Sequence, residues 1–333
     1  MTTDYRRLRR GCYTYSLTTA VLVNLSPVLF LTLRDLYGIS YGALGALISL
    51  NFLTQLGVDL LFSFQPRRFD IPKVVTAAPL IAGAGLVVYG LWPRFFPQTA
   101  YWGLLTGTFL FSAAGGLAEV LLSPVIAAIP APDPDREMSK LHSAYAWGMG
   151  PVVLLSSAFL HLFGKEQWYV LPLLFALLPL TAFLLLRGAF FPPVSAGDGS
   201  REGSCIHSRT LWMCVAAIFL GGAVENTMGQ WGSGYLEAAL GIPKLWGDVF
   251  GVALFSLMLG SGRTLYSKFG SRVERFLLWG SAGAAVCYLT AALCPVPMAG
   301  LAACALTGLF TSLLWPGSLI LAAEHIPGGG VVM

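Results

Sequence analysis

Ten apolar runs, each long enough to cross a bilayer, follow one another along this chain and leave little room for anything else. Their expected bounds are Gly11–Leu33, Tyr41–Phe64, Ile71–Leu91, Thr99–Ile129, Ser139–Phe163, Trp168–Arg187, Thr210–Leu236, Trp246–Tyr266, Phe276–Leu293 and Pro297–Ala323. Roughly 20 apolar residues make a helix that spans the hydrocarbon core. Backbone inside lipid must satisfy its own hydrogen bonds, so such runs fold as helices. The expected fold is therefore all-α and polytopic. Only 11% of residues are charged, against about 25% in a soluble domain. The 38 glycines and 20 prolines, damaging to a soluble helical protein, are common in membrane helices, where small residues permit close approach.

The stretch 188–209, rich in Pro, Gly, Ser and charge, separates six runs from four. It reads as a cytoplasmic linker between a six-helix bundle, residues 11–187, and a second bundle, residues 210–333, holding four helices and the start of a fifth. The positive-inside rule orients the chain. With the N-terminus in the cytoplasm, only Arg34, Arg94, Lys165 and Lys244 fall outside, and the other sixteen of the 20 basic residues fall inside. The run after Arg6, Arg7, Arg9 and Arg10 lacks a small-x-small cleavage site, so it reads as a retained first helix. The last residues, EHIPGGGVVM, resemble the start of a further membrane helix. With the 6+4 arrangement, they lead to the expectation of a chain truncated by about two helices.

Two acids lie deep in these runs: Glu119 in the fourth and Glu225 in the seventh. A charge at such a depth costs about 2.5–3.5 kcal/mol on insertion scales, so it needs a partner, a polar cavity or a solute. Gly115 and Gly116 precede Glu119 by one turn and Pro124 follows it. This is the pattern of a discontinuous transporter helix with space beside a carboxylate. A structural alternative pairs Glu119 with His142 or Tyr145. In the seventh run Glu225 and Asn226 point about 100° apart, with Gln230 further on. Trp231 and Tyr235 share a face; Trp231 reads equally as a wall for a solute ring or as part of an interfacial belt, and Tyr235 reads as belt. Asn51, Gln55 and Asp59, spaced by four, form a polar stripe on the second run. Asn24 reads as a structural hydrogen-bonder. The six cysteines and four histidines show no metal or disulfide spacing. No phosphate loop or acid–base–nucleophile set appears, which argues against ATP-driven transport and against an enzyme. No basic patch suits nucleic acid.

The segment Gly115–Gly116–Leu117–Ala118–Glu119 with Ser123–Pro124 resembles the helix-4 glycine–glutamate–asparagine–proline segment of fucose-permease-like sugar transporters of the major facilitator superfamily. Met138–Tyr145 leading into Gly148 and Gly150–Pro151 resembles that group's entry to helix 5. Glu225 with Gln230–Trp231 resembles its seventh helix. Gly262–Arg263 with Lys268–Gly270 and Arg272 resembles the cytoplasmic gating loop between helices 8 and 9. The resemblance implies twelve helices in two six-helix bundles, of which about ten are present here. It implies a bacterial cytoplasmic membrane protein, monomeric and without cofactor or metal, that moves a small polar solute such as a sugar by alternating access with proton coupling. Glu119 would couple protons; Glu119, Glu225, Asn226, Gln230, Trp231, Asn51 and Gln55 would bind solute near mid-membrane between the bundles; Gly262, Arg263 and Arg272 would gate. The group's helix-1 coupling aspartate has no counterpart, since Ser26–Pro27 occupies that region. An exporter of drug-like or amphipathic compounds, or a nonfunctional fragment, are the competing readings.

Overall fold

A computed structural model describes residues 4–64, 68–131, 134–193, 209–269 and 272–325. Most of the linker, 194–208, and the C-terminal residues 326–333 lie outside the described residues, as does the side chain of His142. The fold is all-helical, with no strand among the described residues. Among the described residues eight helices are long and apolar enough to span a membrane; Trp147–Phe163 and Val170–Leu186 are shorter apolar helices. The chain divides into two compact units, Met1–Ala196 and Gly197–Met333.

The first unit contains α1 (Arg6–Tyr37), α2 (Tyr41–Phe64), α3 (Ile71–Phe95), α4 (Ala100–Ala127), α5 (Pro134–Phe163), α6 (Val170–Phe175) and α7 (Leu177–Leu186). Local chemistry sets several ends. Gly38 closes α1 with φ 66°, a left-handed conformation that costs glycine little. Asp70 caps α3 by accepting from the Lys73 amide at 3.2 Å, one of the donors that a helix start leaves unpaired. The expected sixth helix is divided at Ala176 into α6 and α7. Pro179 has no N–H to offer the carbonyl of Phe175, so the ladder is interrupted there.

Small residues let these helices approach. A Cβ on Gly85 would lie 2.6 Å from the Phe111 amide nitrogen, and one on Gly107 would lie 2.7 Å from Tyr89. That contact holds α3 against α4. The central helix is α1, packed on α4, α5 and α7, with 72% of its most apolar window buried. Tyr15 is fully buried and donates its hydroxyl to the Ala114 carbonyl of α4 at 2.6 Å. An unpaired hydroxyl there would cost about 1–3 kcal/mol, so the bond fixes α1 in register with α4.

The second unit contains α8 (Arg209–Ala238), α9 (Lys244–Gly247), a π-helical segment Asp248–Ala253, α10 (Leu254–Phe269), α11 (Val273–Leu293), α12 (Pro297–Thr311) and α13 (Leu314–His325). The expected eighth run is helical throughout, with the π-helical segment inside it, and the tenth carries a turn at 312–313. The break between α12 and α13 has a specific cause: Pro316 cannot donate to the Ser312 carbonyl, leaving that acceptor without its helical partner. Gly221 of α8 crosses at this point, where an added Cβ would stand 2.6 Å from the Leu314 carbonyl carbon. Tyr288 of α11 donates to the Val224 carbonyl of α8 at 2.6 Å. Tyr235, expected in an interfacial belt, donates to the Ala291 carbonyl and ties α8 to α11.

Candidate functional site

In the first unit the polar stripe of α2 meets the acid-bearing turn of α4. Gly116 permits the contact, because a Cβ there would lie 3.1 Å from both the Gln55 Cα and the Val58 Cβ. At Gly115 the Gln55 amide nitrogen would stand 3.6 Å from an added Cβ. Gln55 Nε2 donates to Asn51 Oδ1 at 2.8 Å, and Asn51 is buried. Glu119 is exposed on this unit's surface. None of the described hydrogen bonds or ion pairs engages it, and the described charge that bears on it is the carboxylate of Asp59. Asp59 Oδ1 is itself buried without a hydrogen-bond partner among the described residues. Asn51, Gln55, Asp59 and Glu119 therefore form one polar, acid-rich place on a single unit. Asp59 had been grouped with the stripe but not with the solute-binding residues; the spacing of four along α2 was the signal.

In the second unit the acid has a cation. Arg263 Nη2 donates to Glu225 Oε1 at 2.9 Å and Oε2 at 3.0 Å. Arg263 Nε donates to the Ser312 carbonyl at 3.0 Å, the acceptor that Pro316 leaves open. One guanidinium thus compensates a carboxylate of α8 and a free carbonyl of the α12–α13 break. Its planar fork of donors suits both tasks. The pair is only partly covered, with side-chain exposures of 30% for Arg263 and 17% for Glu225.

Of the environments expected for a deep acid, Glu225 has the partner. Gly262 and Arg263, which resemble part of a loop between spans, lie inside α10, as the expected run Trp246–Tyr266 also has them. Gly262 packs against Ser312, leaving no space for a Cβ. Arg272 is exposed and directly precedes α11. Lys244, expected on the outer side, begins α9. It pairs at 3.2 Å with Asp248, which is wholly buried, and donates to Ser233 Oγ at 2.9 Å.

The remaining expected solute residues of α8 are unevenly placed. Asn226 Nδ2 donates to the Gly222 carbonyl at 2.9 Å, which commits its amide nitrogen to its own helix. Gln230 is buried, at 4% exposure. Trp231 is half-buried. A cavity of about 330 Å³ lies among α8, α11 and α13, lined by residues that include Leu220, Gly221, Val224, Ala284, Tyr288 and Leu314. Its walls are mostly apolar and neither Glu225 nor Arg263 borders it, so it is not the polar site expected from the sequence. Among the described residues no group of three or more His, Cys, Asp or Glu side chains could hold a metal ion.

Residues 12–332 match the family model of the Major Facilitator Superfamily. No curated protein matches the chain by sequence. Solved structures share its fold. The xylose transporter XylE from E. coli, in an inward open conformation, superposes with a TM-score of 0.76 at 13% identity, over 98% of this chain and 85% of that one. The E. coli fucose:proton symporter FucP gives 0.65 at 15% identity, over 98% and 86%. A bacterial homolog of the human lysosomal transporter Spinster gives 0.73 at 14% identity, over 100% and 77%. The chain belongs to the Major Facilitator Superfamily, and it is a multi-pass membrane protein with a transporter fold.

Proposed function

We propose that this member of the Major Facilitator Superfamily is a secondary active transporter that moves a small polyhydroxylated solute, of the sugar class, by alternating access coupled to protons. The observation that carries the proposal is Glu119. It sits on an apolar helix, exposed on its unit and with no compensating cation among the described residues. A carboxylate kept in such a place is costly unless it is neutralised during the cycle. A proton is the smallest group that can do so. The amides of Asn51 and Gln55 beside it offer the donor and acceptor groups that hydroxyls require.

The similar structures described for xylose transport and fucose:proton symport support a sugar as the solute class. The basic segments support a cytoplasmic N-terminus, in the cytoplasmic membrane of a bacterium, and 188–209 as the cytoplasmic linker between the two bundles. The apolar cavity of the second unit favours a second reading, export of an amphipathic compound.

The test uses the chain reconstituted in liposomes with labelled xylose, fucose and galactose outside. An inside-alkaline pH gradient should drive accumulation of at least one of them, and a protonophore should abolish it. Accumulation of none of the three, with gradient-driven extrusion of a fluorescent amphipathic dye, would replace this reading with the second.

A further inference from the structure

We infer that Arg263 is a specificity-determining residue: by neutralising Glu225 it gives the second unit a neutral, partly exposed donor–acceptor pair that favours uncharged solutes over charged ones with the same ring. The inference rests on the reading of the chain as a transporter of polyhydroxylated solutes and deepens it.

The argument starts from the accounting of donors. Arg263 has five N–H groups in a planar fork. Nη2 is directed at both Glu225 oxygens, and Nε at the Ser312 carbonyl. The described hydrogen bonds leave Nη1 without a protein acceptor, and the side chain is 30% exposed. Glu225 is 17% exposed, and its two oxygens have lone pairs beyond those that Nη2 occupies. The partly covered edge of the pair therefore presents a donor beside an acceptor, with a net charge of zero. A pair of neighbouring hydroxyls fits such an edge, since each hydroxyl both donates and accepts. For a carboxylate or an ammonium the attraction of one partner is offset by the repulsion of the other, so the pair gives a charged analogue no net electrostatic gain to offset its desolvation, whereas a neutral diol has no such cost.

The pair is also anchored. Glu225 is near the middle of α8 and Arg263 is held by the α12–α13 break, because Pro316 leaves the Ser312 carbonyl available. The site's neutrality is thus built into two helices and a proline, and one substitution on either side exposes a full charge.

The experiment compares galactose, galactosamine and galacturonate, three probes with one ring and different charge, for uptake by the chain in liposomes. The chain as it stands should prefer galactose. Glu225→Gln, which leaves the guanidinium uncompensated, should raise the galacturonate-to-galactose ratio by about tenfold or more. Arg263→Gln should raise the galactosamine-to-galactose ratio by a similar factor. The double variant Glu225→Gln/Arg263→Gln restores neutrality and should restore the preference for galactose. If Arg263→Gln fails to insert, Glu225→Gln and the double variant carry the comparison alone.

Variants that slow all three probes in equal proportion would overturn the inference and leave Arg263 as a brace for the helix break, with the transporter reading intact. A preference for either charged probe in the unaltered chain would overturn it as well. Failure of the unaltered chain to move any of the three would remove the solute class and this inference with it.

Discussion

The pentapeptides GGLAE (Gly115–Glu119) and GGAVE (Gly221–Glu225) repeat one pattern in the two units, yet the acids they carry end in opposite electrostatic conditions. Each glycine pair lets a second helix approach one turn before the acid. In the first unit Gly116 meets the backbone of α2, and α2 brings Asn51, Gln55 and a second carboxylate, Asp59. In the second unit the close contact is one residue earlier, at Gly221 against Leu314, and α10 brings Arg263. The small-residue pattern sets how near a neighbour comes; the neighbour's own side chains decide whether the acid is left uncompensated or paired. The units differ in the same sense in their first helices. The most apolar window of α1 is 72% buried and that of α8 is 22% buried, although their mean hydropathies are 1.7 and 1.4. Near-equal composition does not produce equal burial, because burial counts the helices packed alongside.

The largest effect should come from removing the cation of the second unit. Arg263→Leu strands Glu225 and the Ser312 carbonyl together, and should lower stability by about 2–4 kcal/mol, read from thermal unfolding in detergent. Adding Glu225→Gln should return more than half of that loss. Strict additivity of the two substitutions would break the comparison, since it would mean that Arg263 does not compensate Glu225.

A smaller effect tests the shifted glycine contacts. Gly221→Ala places a methyl 2.6 Å from the Leu314 backbone, while Gly222→Ala meets only the Trp315 ring at 3.4 Å. In the first unit Gly116→Ala is the tighter substitution and Gly115→Ala meets nothing nearer than 3.6 Å. Overpacking should cost about 1–3 kcal/mol at Gly221, less at Gly116, and little at Gly115 and Gly222. Equal costs within each pair would show that the contacts are not offset by one residue.

The smallest effect concerns a charge that the first unit keeps at the end of a span. The Lys140 ammonium, and after it the Tyr13 hydroxyl, hold the Glu137 carboxyl below its ordinary value of 4.5. A depressed carboxylate contributes its stability above the unfolded value and loses it as pH falls through the folded one. The chain should therefore lose stability below about pH 4.5 more steeply than Glu137→Gln does, in melting curves taken as pH is lowered. Identical slopes would remove this contact from the account.

The helices were legible because hydropathy over 20 residues is a strong signal: among the described residues eight are span-length and two are shorter, and for Tyr41–Phe64 both ends coincide with the helix. The breaks were not. Pro179 and Pro316 are visible as letters, but membrane helices often carry proline without interruption, and only the packed neighbours show which carbonyl goes unpaired. Glu119 and Glu225 stood out as acids within apolar runs. The partner of Glu225 did not, because it lies 38 residues away, beyond any helical spacing. Its Gly–Arg sequence resembles a loop signature, although the expected run Trp246–Tyr266 and α10 both contain it. The partner of Lys244 was not legible either: Asp248, which is buried, begins a π-helical segment that no periodicity announces.

The central claim is that Glu119, the acid without a cation, couples transport to protons. In liposomes, Glu119→Gln should lose accumulation of labelled sugar driven by a pH gradient and retain exchange of the same sugar at equal pH on both sides. Accumulation equal to that of the unaltered chain would contradict the claim and leave Glu119 a structural residue.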